Sequence, residues 1–234
     1  MIGMVYLVGA GPGDPGLLTL RGRECLHSAD VVLYDRLVNP RILNEAPTGV
    51  EFVDVGKSRG KRKFNQADIN SLLIQYAKDG NQVVRLKGGD PFIFGRGGEE
   101  GLALSAAGIP FEVVPGVSSI SSVPAFAGIP LTHRGISSSF IVLSGSNASS
   151  QEDHPVDWGL VAQFKGTLVI LMGLERLSEI TQNLLECQKP PDTPIAVIQS
   201  GTLPTQRVLI GTLNNISGKI KNAGLQAPVV VVIG

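Results

Sequence analysis

The sequence predicts an α/β protein made of two α/β domains, and three observations carry that prediction. In the first half, short β-type apolar runs alternate with helical signals, which implies right-handed crossovers and a largely parallel sheet. In the second half, two strand signals are separated only by residues 200–205, too few for a helical crossover. Those strands are expected to pair antiparallel within a mixed sheet. Between the halves, Val114-Pro115-Gly116-Val117-Ser118-Ser119 interrupts the pattern with small residues and a Pro-Gly step. The joint is therefore placed after Val114, giving one domain over 1–114 and another over 115–234. A chain of 234 residues with 43% hydrophobic side chains supplies cores for both.

Taken in order, the first-half strands are expected at 4–8, 31–34, 51–55, 82–87 and 111–114. A glycine loop, Gly9-Ala10-Gly11-Pro12-Gly13-Asp14-Pro15-Gly16, follows the first of them, and Asp14 is expected to cap a helix beginning near Leu17. Between the third and fourth strands, Ile69, Leu72, Leu73, Tyr76 and Ala77 share one face at helical spacing. Asn65 suits the cap of that helix, Asp68 its first turn, and Gly80 the position past its end. A second helix is expected over about 98–107, stopping at Gly108. The second half carries strand signals at 140–143, 167–171, 195–198, 206–210 and 229–233. Residues 144–157 are polar and read as a loop or lid, and no internal repeat stands out.

Twenty basic residues balance twenty acidic ones, so no net field recruits nucleic acid or a membrane surface. The first strand signal starts at Met4, which leaves no room for a signal peptide, and no apolar run reaches the length of a membrane span. A cytoplasmic chain is expected, and the sequon Asn147-Ala148-Ser149 then carries no meaning. Cys25 and Cys187 are isolated and His27, His133 and His154 are scattered, so no metal site is expected.

The stretch from Lys87 to Glu100 holds five glycines, with Asp90, Arg96, Glu99 and Glu100 among them. Backbone without Cβ admits a ligand closely, and the segment follows a parallel strand, where open α/β sheets bind their ligands. The first glycine loop looks at first like a dinucleotide fingerprint, with Asp35 at the end of the second strand in the place of a ribose-binding acid. The details disagree. Asp14 occupies the last glycine position, where its charge would repel a pyrophosphate, and Pro12 and Pro15 remove backbone donors. A nicotinamide-dependent oxidoreductase and a non-catalytic ligand-binding module stay as alternatives from other classes.

Several segments occur in a telling order: Gly9 to Pro15, Tyr34-Asp35-Arg36-Leu37-Val38, Val55-Gly56-Lys57, Gly88-Gly89-Asp90, Val114-Pro115-Gly116, Ile129-Pro130-Leu131-Thr132-His133-Arg134 and Met172-Gly173-Leu174. Together the chain resembles the tetrapyrrole methyltransferase family over essentially its whole length. The resemblance implies two α/β domains with S-adenosyl-L-methionine in a cleft between them, the tetrapyrrole methylase fold, in a homodimer. The Tyr-Asp-Arg-Leu-Val, Gly-Arg-Gly-Gly-Glu-Glu and Leu-Thr-His-Arg segments imply C-methylation of uroporphyrinogen III, twice in succession, to give precorrin-2 for siroheme and cobalamin synthesis. A later corrin-ring methyltransferase is the alternative within the family. Because the first motif lies at the start, a monofunctional enzyme is expected.

Position by position, the resemblance marks Pro12, Gly88, Gly89, Asp90 and Ile93 as cofactor-binding. It marks Ser118 and Ser119 likewise, a pair usually written Thr-Ala, so Ser119 departs from the pattern while staying small. Met172, Gly201, Ala227 and Pro228 complete the set, although Met172 alone would read as a strand-end core methionine. Asp35 and Lys57 are implied as proton acceptor and donor. Arg96, Glu99 and Arg134 are expected to hold the small-molecule tetrapyrrole, because guanidinium forks bind carboxylates bidentately and this substrate carries eight. Arg96 is also a candidate to assist proton loss. The basic run Lys57-Ser58-Arg59-Gly60-Lys61-Arg62-Lys63 reads as a solvated loop, or as an element capturing the polyanion.

Overall fold

The computed structural model describes residues 1–56, 64–147 and 156–234. The chain divides into two compact units, Met1–Ser118 and Ser119–Gly234. The division falls after Ser118, not Val114, because Gly116 is tied into the first unit, donating its backbone N–H to Asp90 Oδ2 at 3.0 Å.

The first unit runs β1 (Met4–Gly9), α1 (Leu20–His27), β2 (Val31–Tyr34), α2 (Pro40–Leu43), β3 (Glu51–Asp54), α3 (Gln66–Lys78), β4 (Gln82–Lys87), α4 (Gly97–Ala106) and β5 (Phe111–Val114). Its five strands lie in the order β3-β2-β4-β1-β5, and every pairing is parallel. Parallel sheets bury both faces, so side chains of both parities are apolar. Val5, Leu7, Val31, Leu33 and Val83 pack with Ile69, Leu73 and Ala77 of α3 and Leu104 of α4. Val8, Val32, Val84 and Leu86 pack oppositely, with Leu26 of α1 and Ile42 of α2. Arg85 and Lys87 of β4 depart from this pattern inside the core, being charged and buried.

Helix α3 begins where its sequence predicts. Asn65 Oδ1 accepts from the Asp68 N–H and Asp68 Oδ2 accepts from the Asn65 N–H, a reciprocal capping box. The start of α1 differs from expectation. Asp14 caps only a single 3-10 turn, Pro15–Leu17, through the Gly16 N–H. Leu18 and Thr19 are extended, and the helix proper begins at Leu20 under a Thr19 cap.

The second unit runs α5 (Ser119–Phe126), β6 (Phe140–Ser144), α6 (Trp158–Gln163), β7 (Thr167–Leu171), α7 (Leu177–Glu186), β8 (Pro194–Gln199), β9 (Arg207–Thr212), α8 (Ile216–Ala223) and β10 (Val229–Ile233). The sheet order is β6-β7-β10-β8-β9. Strands β6 and β7 pair parallel, and the other three pairings are antiparallel, including the expected β8–β9 ladder. One face packs Leu168, Ile170, Ile195, Val197, Val231 and Ile233 with residues of α6, α7 and α8. The opposite face packs Val169, Ile198, Val230 and Val232 with Val123 of α5. A 3-10 turn, Gly145–Asn147, opens the polar stretch after β6; residues 148–155 of the expected loop or lid lie outside the described residues, and Asp157 at its end caps α6.

Candidate functional site

In the first unit, three loops converge at the carboxyl ends of β1, β4 and β5. Gly11 and Gly89 exchange backbone hydrogen bonds of 3.2 and 2.7 Å, and Ala10 donates to the Lys87 carbonyl at 2.7 Å. The approach is so close that a Cβ on Gly9 would lie 2.5 Å from Gly116 Cα, and one on Gly116 would lie 2.2 Å from the Gly89 oxygen. Three backbones crossing at that distance leave no room for side chains. Asp90 pins the crossing, accepting from Phe92 N at 2.8 Å through Oδ1 and from Gly116 N through Oδ2. The resemblance marks Asp90 as cofactor-binding; in the structure each of its carboxylate oxygens accepts from a backbone N–H.

Gly88 differs from its neighbours. Among the described residues a Cβ there would meet only Leu37 Cβ, at 3.5 Å, an ordinary contact. The folded chain does not itself require glycine at this position. Pro12 is half-buried in the adjoining loop, which Asn39 holds by donating to the Gly13 carbonyl at 2.7 Å. Beyond Asp90, Phe92, Ile93 and Phe94 are exposed, and Phe94 and Arg96 have left-handed backbones, φ 50° and 60°.

Arg96 is not free. Its Nε and Nη2 donate to the two carboxylate oxygens of Glu99 at 2.7 and 2.6 Å, both side chains being about half exposed. Each partner favours the other's charge: the hydrogen bond to Glu99 raises the Arg96 guanidinium above its ordinary value, and Arg96 lowers the Glu99 carboxyl.

Asp35 sits directly beyond β2, its N–H donating to the Leu86 carbonyl of β4 at 3.3 Å. It therefore lies at the same sheet edge as Gly88–Asp90. Its Oδ1 accepts from Arg85 Nη2 at 2.6 Å. Behind it is a cluster that sequence reading missed: Arg85 and Lys87 both donate to Glu100 Oε1, at 3.1 and 2.9 Å. Val-Val-Arg-Leu-Lys reads as a strand with polar trim, and nothing local reveals that its cations meet an acid on α4. Burial, the largest influence, pulls the Lys87 ammonium below its usual value. For Arg85 burial acts the same way, but the Asp35 and Glu100 carboxylates outweigh it and hold the guanidinium above its usual value. Lys57 lies outside the described residues.

In the second unit, β10 runs antiparallel to β7 and β8, pairing Val230 with Leu171 and Val229 with Gln199. That register gathers Met172, Ser200–Thr202 and Ala227-Pro228 at one sheet end. Met172, Ser200 and Thr202 all have positive φ, 56°, 49° and 68°, and the Ser200 N–H donates to the Pro228 carbonyl at 3.1 Å. Left-handed backbone at three non-glycine residues costs of order 1–3 kcal/mol each and collects at functional sites. Met172, Ala227 and Pro228 are exposed, while Gly201 is buried. A Cβ on Gly201 would lie 2.3 Å from Val123 Cγ1 of α5, so packing against that helix explains the glycine. Ser119 opens α5, and Ser118 precedes it.

Arg134 stands in a tight turn closed by hydrogen bonds between His133 and Ser137, with Gly135 at φ 83°. It is exposed and makes no ion pair among the described residues. An apolar hollow of about 510 Å³, lined by Ser121, Ile129, Pro130, Leu131, Thr132 and Phe140 among others, lies in the same unit. Among the described residues, no helix is long and apolar enough to cross a membrane.

The family model of tetrapyrrole (corrin/porphyrin) methylases matches residues 4–217. The chain is 49% identical over 232 residues to the S-adenosyl-L-methionine-dependent uroporphyrinogen III methyltransferase of Methanosarcina barkeri, covering 99% of this chain and 91% of the relative. It is 47% identical over 235 residues to the uroporphyrinogen-III C-methyltransferase of Methanocaldococcus jannaschii, covering 100% and 96%. A solved structure of the Thermus thermophilus uroporphyrin-III C-methyl transferase, complexed with S-adenyl homocysteine, matches with a TM-score of 0.84 at 42% identity, over 99% of this chain and 97% of that one. The chain belongs to the tetrapyrrole (corrin/porphyrin) methylase family.

Proposed function

We propose that the chain catalyses S-adenosyl-L-methionine-dependent C-methylation of uroporphyrinogen III, two transfers in succession giving precorrin-2. The observation that carries this reading is the edge of the first sheet. There, bare glycine backbone, a carboxylate and exposed apolar side chains adjoin, in a chain similar from end to end to enzymes named for that reaction.

The first unit fits the cofactor. Among the described residues a Cβ at Gly88 would make only an ordinary contact with Leu37 Cβ, so a ligand seated against the backbone accounts for the glycine. Pro12, Gly88, Gly89, Asp90 and Ile93 are its proposed contacts there, with Ser118, Ser119, Met172, Gly201, Ala227 and Pro228 further candidates. Gly201 is the weakest of these, since Val123 already explains it. When bound, S-adenosylmethionine supplies an electrophilic methyl group.

The chain's own residues do the rest. Phe92, Ile93 and Phe94 offer an apolar surface to a tetrapyrrole ring, and the exposed Arg134 offers its fork to the carboxylates. Arg96 and Glu99 enter as a pair, so a substrate carboxylate must share or displace Glu99 to engage that guanidinium. Holding both reactants in line is worth up to roughly 7–11 kcal/mol of barrier. Asp35 is the proposed acceptor of the proton released after transfer, a contribution of about 10²–10⁴-fold for a placed base. The donor role of Lys57 rests on the family resemblance. The same reading makes the enzyme a cytoplasmic homodimer with neither nucleic-acid nor membrane partner.

Anaerobic incubation with uroporphyrinogen III and methyl-labelled cofactor tests the proposal, and label in the tetrapyrrole is the expected result. A later corrin-ring methyltransferase would leave this substrate unlabelled. Binding of NAD(P) without binding of S-adenosylhomocysteine would instead mark an oxidoreductase.

A further inference from the structure

We propose that Arg85 is a positioning residue for methyl transfer: it fixes the Asp35 carboxylate through its outer nitrogen, and the buried Glu100 in turn fixes Arg85. The inference rests on Asp35 being the proton acceptor.

Strand β4 directs Val83, Arg85 and Lys87 to the face covered by α3 and α4, where an apolar side chain is the ordinary occupant. Arg85 is 2% exposed and Glu100 is 0% exposed. Glu100 Oε1 accepts from Arg85 Nε, from Lys87 Nζ and, at 3.2 Å, from Gln66 Nε2, while the buried Oε2 has no hydrogen-bond partner. Arg85 Nη1 donates to the Leu33 and Leu86 carbonyls at 3.4 and 3.3 Å. Every nitrogen of the guanidinium is thus committed, and the plane of the group is set from three directions.

Two buried cations and one buried anion leave one positive charge, and Asp35 neutralises it. The Asp35 side chain is 33% exposed, so it is the member through which the cluster reaches solvent. Its Oδ1 is anchored to Arg85, and Oδ2 accepts no hydrogen bond among the described residues. Burying ions costs several kcal/mol each, and well-packed apolar residues are often at least as stable. Stability therefore does not call for this cluster. What an apolar core cannot do is hold a surface carboxylate in one orientation with one oxygen left to take a proton.

The test compares methyl transfer in Asp35→Asn, in Arg85→Gln/Glu100→Gln and in the triple combination. The paired change removes one cation and one anion, so the buried charge stays balanced. Expected is a fall in kcat of up to about 100-fold, the effect of a misplaced catalytic group, with S-adenosylhomocysteine affinity and substrate KM within about twofold of wild type. In the Asp35→Asn background the paired change should cost no further kcat, a non-additivity that general loosening of the fold would not produce. Wild-type kcat in the paired variant, or an equal loss in both backgrounds, overturns the proposal and leaves Asp35 in its role. Wild-type kcat in Asp35→Asn alone overturns the reading of Asp35 itself. Should the paired variant not fold, Arg85→Lys, which keeps the buried charge but not the fork, is judged by the same criteria.

Discussion

Gly88 and Gly89 are adjacent in sequence and alike in composition, yet the structure gives them different tasks. Gly89 has φ 69°, so alanine there pays a left-handed cost of about 1–2 kcal/mol and blurs any effect on binding. Gly88→Ala is the cleaner experiment: the melting temperature should hold while calorimetric affinity for S-adenosylhomocysteine drops at least about tenfold, some 1.4 kcal/mol. Unchanged affinity would take the loop out of the site. Asp90→Ala is mixed for a similar reason, because it also frees the Phe92 and Gly116 N–H groups. Arg134 makes no ion pair among the described residues, so Arg134→Ala should leave the fold alone and raise KM, by about 1.5–3 kcal/mol if a charged hydrogen-bond pair is lost. A peripheral carboxylate is held alike before and during transfer, so kcat should change little. Lysine should rescue poorly, since it keeps the charge without the fork. Unaltered KM with weakened cofactor binding would move Arg134 out of the substrate's reach.

Elements were legible where local chemistry decides them. Most strands of both sheets are apolar runs rich in valine, isoleucine and leucine, and Asn65 and Asp68 announce the start of α3 three residues apart. That capping box lies one residue from Gln66, which donates to Glu100 Oε1, so Asn65→Ala tests how firmly the start of the element is held. It should lower stability by about 0.5–2 kcal/mol, read as a lower denaturant midpoint at unchanged m-value. Elements built by tertiary context were not legible. Helix α5 carries Pro124 inside it and opens on serines, so its sequence reads as a joint; its helical state is earned by packing Val123 onto the second sheet. Asp14 shows the converse error. Its capping chemistry is real, but extended Leu18 and Thr19 separate that turn from α1, and no residue type forces that break. The Arg85–Glu100 cluster was hidden likewise, because its partners meet only when α4 folds across β4.

At the scale of the whole molecule, the chain has a formal net charge of +0, so net charge supplies no steering of a polyanionic substrate and recognition rests on local groups. This bears on how many methyl groups are transferred. Arginine forks such as Arg134 recognise carboxylates, and methylation at a ring carbon leaves all eight carboxylates in place. Charge recognition consequently does not distinguish the monomethylated product from the starting tetrapyrrole, and discrimination by one added methyl in an apolar site is worth only about 1–3 kcal/mol. The monomethylated species should therefore re-enter as a substrate. With cofactor in excess, mass spectrometry of the anaerobic reaction should show a single-methyl species that rises early and then gives way to a product carrying two. With cofactor limiting, the single-methyl species should persist. A product that stops at one methyl group under excess cofactor would mean that the ring, and not its carboxylates, governs what this chain accepts.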